Sequence, residues 1–205
     1  MRLKTLRTIF AALAVPLCVA AGLTAQNAGA GAGPGFALPL QFAGTAFGQA
    51  GAAAGKSFGF TVYITQWTTA EQVKAFTDTL RENGPDGLVK AFDKTKDVGR
   101  VSPTGFVGNS FRFARATPTQ GGGMHIVMVT DRPMRFWEVY NSSRSTQYPF
   151  GIIVLNVDST GKGTGTLAPI CKIKFNKKNE LEIENYGQKP LRLANVRLEK
   201  SGGQE

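Results

Sequence analysis

A chain of 205 residues with 42% hydrophobic and 19% charged residues has the composition of one globular domain with extensions. Two cysteines are too few for a disulfide scaffold, and the balance of 24 Lys and Arg against 14 Asp and Glu, a formal +10, biases the surface toward anionic partners.

The first thirty residues, MRLKTLRTIFAALAVPLCVAAGLTAQNAGA, place Arg2, Lys4 and Arg7 ahead of an uncharged apolar run from Thr8 to Leu23, followed by small residues. That is the layout of a secretory signal peptide, with cleavage expected after Ala25 or as late as Ala30. A retained anchor is the alternative, but the run is about 16 residues long and broken by Pro16, against the ~20 a spanning helix needs. Cys18 follows Leu17, not the small residue a lipoprotein requires. Cleavage would remove Cys18 and leave Cys171 alone, so no internal disulfide is expected. Without the three signal cations the chain still carries 21 Lys and Arg against 14 acids.

Residues 26–56 are rich in Gly and Ala and uncharged until Lys56, which predicts a flexible leader because ordering glycine costs backbone entropy. Within it Phe36, Leu38, Leu40 and Phe42 alternate, the pattern of an added strand or an adhesive patch, and Pro39 would confine such a strand to an edge. The folded domain is expected over 57–200, with 201–205 as a tail. In KSFGFTVYITQW, Phe58, Phe60, Val62 and Ile64 share one face of a half-buried strand.

Thr68 and Glu71 have the spacing of a capping box, and Val73, Phe76 and Leu80 form a helical stripe. Asn83-Gly84-Pro85 stops it, and Leu88, Val89 and Phe92 mark a second helix. A DNA-binding helix-turn-helix is not expected, since the second helix lacks an array of base-reading side chains.

From Asp97 the period changes to two, predicting strands at about 98–103, 109–116, 124–130, 134–140, 150–157, 164–175, 180–186 and 191–198, parted by Gly, Pro, Asn and Asp. In GGGMHIVMVTDRPMRFW, Met124, Ile126 and Met128 share one face and His125, Val127 and Val129 the other, which predicts a central strand apolar on both sides and a turn at Thr130 to Pro133. The sharpest register lies in CKIKFNKKNELEIEN. Phe175 opposite Leu181 and Ile173 opposite Ile183 put Lys174 against Glu182 and Lys172 against Glu184. Lys177, Lys178 and Asn179 form the turn, with Asn179 left-handed. Cys171 falls on the apolar face, where a thiol packs as a small hydrophobe. The whole predicts an α+β fold, mostly antiparallel β as a sandwich or barrel-like sheet, with an N-terminal helical hairpin packed on it. A domain of about 145 residues buries enough surface to stand without disulfides or metal.

The stretches TDRPM, YPFGIIVLNVDSTGKGTG and NELEIENYGQKPLRLANVR together resemble an uncharacterised family of secreted bacterial proteins, over roughly Phe58 to Leu198. The resemblance implies export and a single domain. It implies no activity and no catalytic residues.

Chemistry is sparse. His125 is the single histidine, and no G-x-S-x-G elbow accompanies it, since Gly108-Asn109-Ser110-Phe111-Arg112 fails at its last position. His125 and Cys171 are too few for a His/Cys zinc site, and no helix follows Gly161-Lys162-Gly163-Thr164-Gly165 to hold a phosphate. No catalytic residue, metal or cofactor is therefore assigned. Between Asp97 and Thr160 every cation is arginine, and these arginines alternate with Phe111, Phe113, Phe136, Trp137 and Tyr140. Arg112, Arg115, Arg132, Arg135 and Trp137 are the expected ligand-binding residues, because the guanidinium fork suits carboxylate and phosphate and stacks on aromatic rings. The expected function is an exported, periplasmic or extracellular, non-enzymatic module binding an anionic envelope polymer, a lipid headgroup or a protein; nucleic acid is not expected. The alternatives are a barrel or sandwich carrying a small apolar ligand and an enzyme with an unrecognised site.

Overall fold

The computed structural model describes residues 36–50, 53–134, 147–186 and 189–202. The expected signal peptide, Arg135, Trp137 and nearly all of the strand expected over 134–140 lie outside the described residues.

Alternating apolar residues build β1 (Leu40–Phe47), β2 (Ser57–Ile64), β3 (Gly99–Pro103), β4 (Asn109–Pro118), β5 (Met124–Thr130), β6 (Phe150–Val157), β7 (Lys162–Phe175), β8 (Leu181–Asn185) and β9 (Leu191–Ser201), with the helix α1 (Ala70–Asp93) between β2 and β3. Every pairing is antiparallel, in the order β6-β5-β4-β3-β2-β1-β9-β7-β8. A further pairing of β6 with β7 closes eight of these strands into a barrel. The 14-residue β7 makes this possible: its first part lies between β6 and β9, and its last part runs on to pair with β8.

The barrel interior is filled by side chains, as in other eight-stranded barrels of this size. Phe42, Phe60, Phe111, Met124, Met128 and Ile153 belong to one core cluster and are each at most 2% exposed. Residues of opposite parity point outward. On β5, β6 and β7 the outward Val129, Ile152, Ala168, Cys171 and Ile173 form a second core with Leu80, Leu88 and Phe92 of α1. Each such helix side chain contributes about 1.5–3 kcal/mol by leaving water. The strand Met124–Thr130 is therefore central and buried on both faces, with Met128 inside the barrel and Val129 beneath the helix.

Three expectations are corrected. The stretch Leu40–Phe47, assigned to a flexible leader, is a barrel strand paired on both sides, by β2 in unbroken register and by β9. Pro39 precedes its first paired residue, so the missing donor costs the ladder nothing. In place of an N-terminal helical hairpin there is one helical element, in mid-chain after two strands. It breaks at Gly84 (φ 65°, ψ −166°), a conformation that is essentially glycine's alone. Phe76 and Phe92 meet edge to face at 5.0 Å, so the two halves turn back on each other there. The capping box is Thr69 and Gln72, one residue later than expected. Thr68 is occupied elsewhere: it is 6% exposed, and its hydroxyl accepts from the Ala114 amide at 2.9 Å.

Candidate functional site

The arginines of β4 and the following strand end do not gather on one face. Between Phe111 and Phe113 the pairing of β4 with β5 shifts by a residue, and Arg112 occupies that bulge. Its guanidinium donates to Thr95 O at 2.7 Å and to Asp131 Oδ2 at 2.9 Å, and pairs with Asp97 at 2.5 Å. Arg112 thus pins the chain leaving α1 to the end of β5. Arg132 is different: its side chain is 66% exposed and holds the other oxygen of Asp131 at 3.0 Å. Burial alone would raise the Asp131 pKa, but hydrogen bonds from Arg132 and Arg112, with their charges, hold it below the ordinary carboxylate value. Arg115 lies three residues down β4, ~10 Å at strand rise. It is exposed and has no carboxylate partner among the described residues. Of the five expected site residues, the structure brings Arg112 and Arg132 together on Asp131 and separates Arg115; Arg135 and Trp137 lie outside the described residues.

His125 faces outward, opposite Asn156, and its Nδ1 lies 2.6 Å from Asn156 Oδ1. Since a carboxamide oxygen accepts, the hydrogen sits on Nδ1 in this geometry. Cys171 is buried opposite Phe150 and Asn185, and burial pushes its thiol pKa up to about 12, so it packs and does not react. Among the described residues no three His, Cys, Asp or Glu cluster as metal ligands.

A different arrangement emerges from the strand register. Arg115, Val127, Val154, Thr166, Arg192 and Phe47 stand opposite one another in a single row across six strands. Row partners share a face, and Val127 and Val154 pack on the outside against the second core, so this row lies on the outer wall. Arg115 and Arg192 are four strand spacings apart, ~19 Å measured along the curved sheet and half-way round the eight-stranded barrel, and mark the two ends of an arc through Val127, Val154 and Thr166. Arg192 adjoins Phe47, which is 39% exposed.

Carboxylates are nearly absent from the barrel strands, while cations are found both on them and elsewhere. The eight barrel strands carry nine Lys and Arg against a single carboxylate, Glu199. Arg100, Arg115, Lys162, Arg192, Arg197 and Lys200 among these cations are exposed. Glu199 is taken up by Arg197 at 2.9 Å, whereas Arg100, Arg115 and Arg192 have no carboxylate partner among the described residues. The other described acids sit on α1 and just after it, in the turns at Asp131 and Asp158, and on the β7–β8 hairpin. There Glu184 receives Lys174 at 2.7 Å and the Tyr148 hydroxyl, and these hydrogen bonds, Lys174 first, lower its pKa. Sequence reasoning passed over Arg192 and Phe47, although the lack of Asp and Glu in the expected strands other than 134–140 and 180–186 was there to be read. Among the described residues no helix is long and apolar enough to cross a membrane.

Comparison with protein-family models, with curated proteins and with solved structures gives no match.

Proposed function

We propose that this chain is an exported, non-enzymatic binding module that engages phosphate or carboxylate groups of an envelope component through the outer wall of its barrel. The observation that carries the reading is the nine-to-one ratio of cations to carboxylates on the barrel strands. Arg112, Lys174 and Arg197 are met by carboxylates, but Arg100, Arg115 and Arg192 have no carboxylate partner among the described residues, and their field concentrates anions at the surface. The guanidinium groups of Arg115 and Arg192 supply planar forks for oxyanions, with Phe47 beside the second. Export rests on the N-terminal layout of Arg2, Lys4 and Arg7 before the apolar run, and on the resemblance to secreted bacterial proteins.

The carrier alternative is weakened by the interior itself, where Phe60, Phe111 and Met128 occupy the space an apolar ligand would need. The test is retention on a dextran sulfate matrix. The full chain should be retained at low salt and released as salt rises, because screening shortens the reach of these charges. Arg115→Glu with Arg192→Glu should elute at distinctly lower salt, and Arg132→Glu with Arg135→Glu should act in the same direction. Equal elution of the Arg115/Arg192 variant and the wild type would overturn the reading.

A further inference from the structure

We propose that the hairpin tip between β3 and β4 inserts into a lipid bilayer, and that anionic lipid is the partner of the cationic wall. The inference rests on the reading of the wall as an anion-binding surface and adds the nature of the partner.

The tip, Thr104 to Gly108, carries Phe106 at 75% and Val107 at 90% exposure, the two most exposed large apolar side chains of the described residues. Both stand side by side at the turn of a hairpin, clear of both hydrophobic cores. The turn is held firmly beneath them. Thr104 N donates to Gly59 O at 2.8 Å, and Phe106 N donates to Pro103 O at 3.1 Å. Thr104 lies directly on the wall at Gly59, where any Cβ would come within 2.6 Å of the threonine hydroxyl. The apolar pair is therefore presented by a fixed scaffold.

Charge decides what this scaffold faces. β1, β2, β3 and β4 contain no carboxylate; of their three cations Arg112 is held by Asp97 and Asp131, while Arg100 and Arg115 have no carboxylate partner among the described residues. Phe47 stands opposite Ser57, two residues along β2 from the site where the tip is anchored, and Arg192 stands opposite Phe47 on its other side. The acid beside this hairpin, Asp97, is taken up by Ser110 and Arg112. An apolar wedge on strands that carry cations and no carboxylate of their own is the pattern of an interfacial membrane contact: headgroups meet the cations while the wedge enters the acyl boundary. The contrasting case is on the same molecule. Leu181 and Ile183, 56% and 45% exposed, alternate on β8 with Glu182 and Glu184, whereas the strands on either side of Phe106 and Val107 carry no carboxylate.

Phosphatidylcholine vesicles with and without phosphatidylglycerol test the proposal by co-sedimentation of the full chain, so that the N-terminal segment contributes equally to every variant. The wild type should bind the phosphatidylglycerol vesicles preferentially. Phe106→Ser with Val107→Ser should bind them at least about tenfold more weakly while keeping wild-type retention on dextran sulfate. Relative to wild type, Phe106→Trp should add emission that shifts to the blue on these vesicles and is quenched by brominated acyl chains. Unchanged vesicle binding by the double variant, or an unshifted signal from the introduced tryptophan, would overturn the insertion and leave the anion-binding reading standing if dextran sulfate still retains the protein. Retention on neither support would overturn both.

Discussion

Phe76 and Phe92 are sixteen residues apart in α1, yet their rings meet edge to face with centroids 5.0 Å apart. A straight helix would hold them ~24 Å apart. The reversal is made at Gly84, where no atom lies within 4 Å of the place a Cβ would take and only the backbone conformation forbids one. Gly84→Ala should therefore destabilise the protein by about 1–3 kcal/mol through strain alone. The check is the urea midpoint, with an unchanged slope showing that the same surface is exposed on unfolding.

Asp131 is 3% exposed in its side chain and held between Arg112 and Arg132. Asp131→Ala leaves Arg112 partly buried with one ionic partner fewer and should cost about 3 kcal/mol. Arg132→Ala removes an exposed member of the same group and should cost under about 1 kcal/mol. A difference between the two of less than ~1 kcal/mol would show that Asp131 does not act through Arg112.

The same carboxylate makes stability pH-dependent. Its folded-state pKa lies below the unfolded value of about 3.9. The stabilisation is thus complete above the unfolded value and is lost as pH falls through the depressed folded one. Denaturant midpoints measured from neutral pH down to acid should fall more steeply for the wild type than for Asp131→Ala below about pH 4.

Phe111 is fully buried inside the barrel, where it begins the irregular part of the β4–β5 pairing. Phe111→Ala should cost about 3–5 kcal/mol and open a cavity. An apolar fluorescent probe should bind the folded variant and not the wild type. Tight binding of that probe by the wild type would favour a ligand carrier after all.

Cys171, with its thiol pushed up to about 12 by burial, should resist alkylation at pH 8 in the folded chain. It should react at the rate of a free, exposed thiol once denaturant unfolds the protein. Rapid labelling of the native state would place it outside the second core.

Local chemistry made some of the structure legible in advance. The register of β7 with β8 pairs Lys172 with Glu184 and Phe175 with Leu181, and Asn179 is left-handed at φ 60°, because alternation and opposite charge admit one alignment within a few residues. The ion pairing is finer than that register: Lys174 sits 2.7 Å from the diagonal Glu184 and 4.0 Å from the facing Glu182.

The candidate site was legible mainly as charge. The arginines and their nearby aromatic residues were visible, but Arg112 was expected on a binding face and instead turns to Thr95, Asp97 and Asp131. A bulge in β4, produced by its pairing with β5, directs that side chain, and no local pattern specifies it.

The sequence by itself determined the strands, the turns and the excess of cations, since each depends on side-chain period, backbone preference or simple charge within a short window. Tertiary structure alone decided the rest. β1 looked like leader because its small residues bury little surface without neighbours; it became a strand through β2 and through β9, the latter about 150 residues away along the chain. Sandwich or barrel was settled by the pairing of β6 with β7 and of β9 with β1. The pairing of β9 with β1 also set Arg192 beside Phe47, a neighbourhood that exists only in three dimensions because hydrogen-bonded register joins residues remote in sequence.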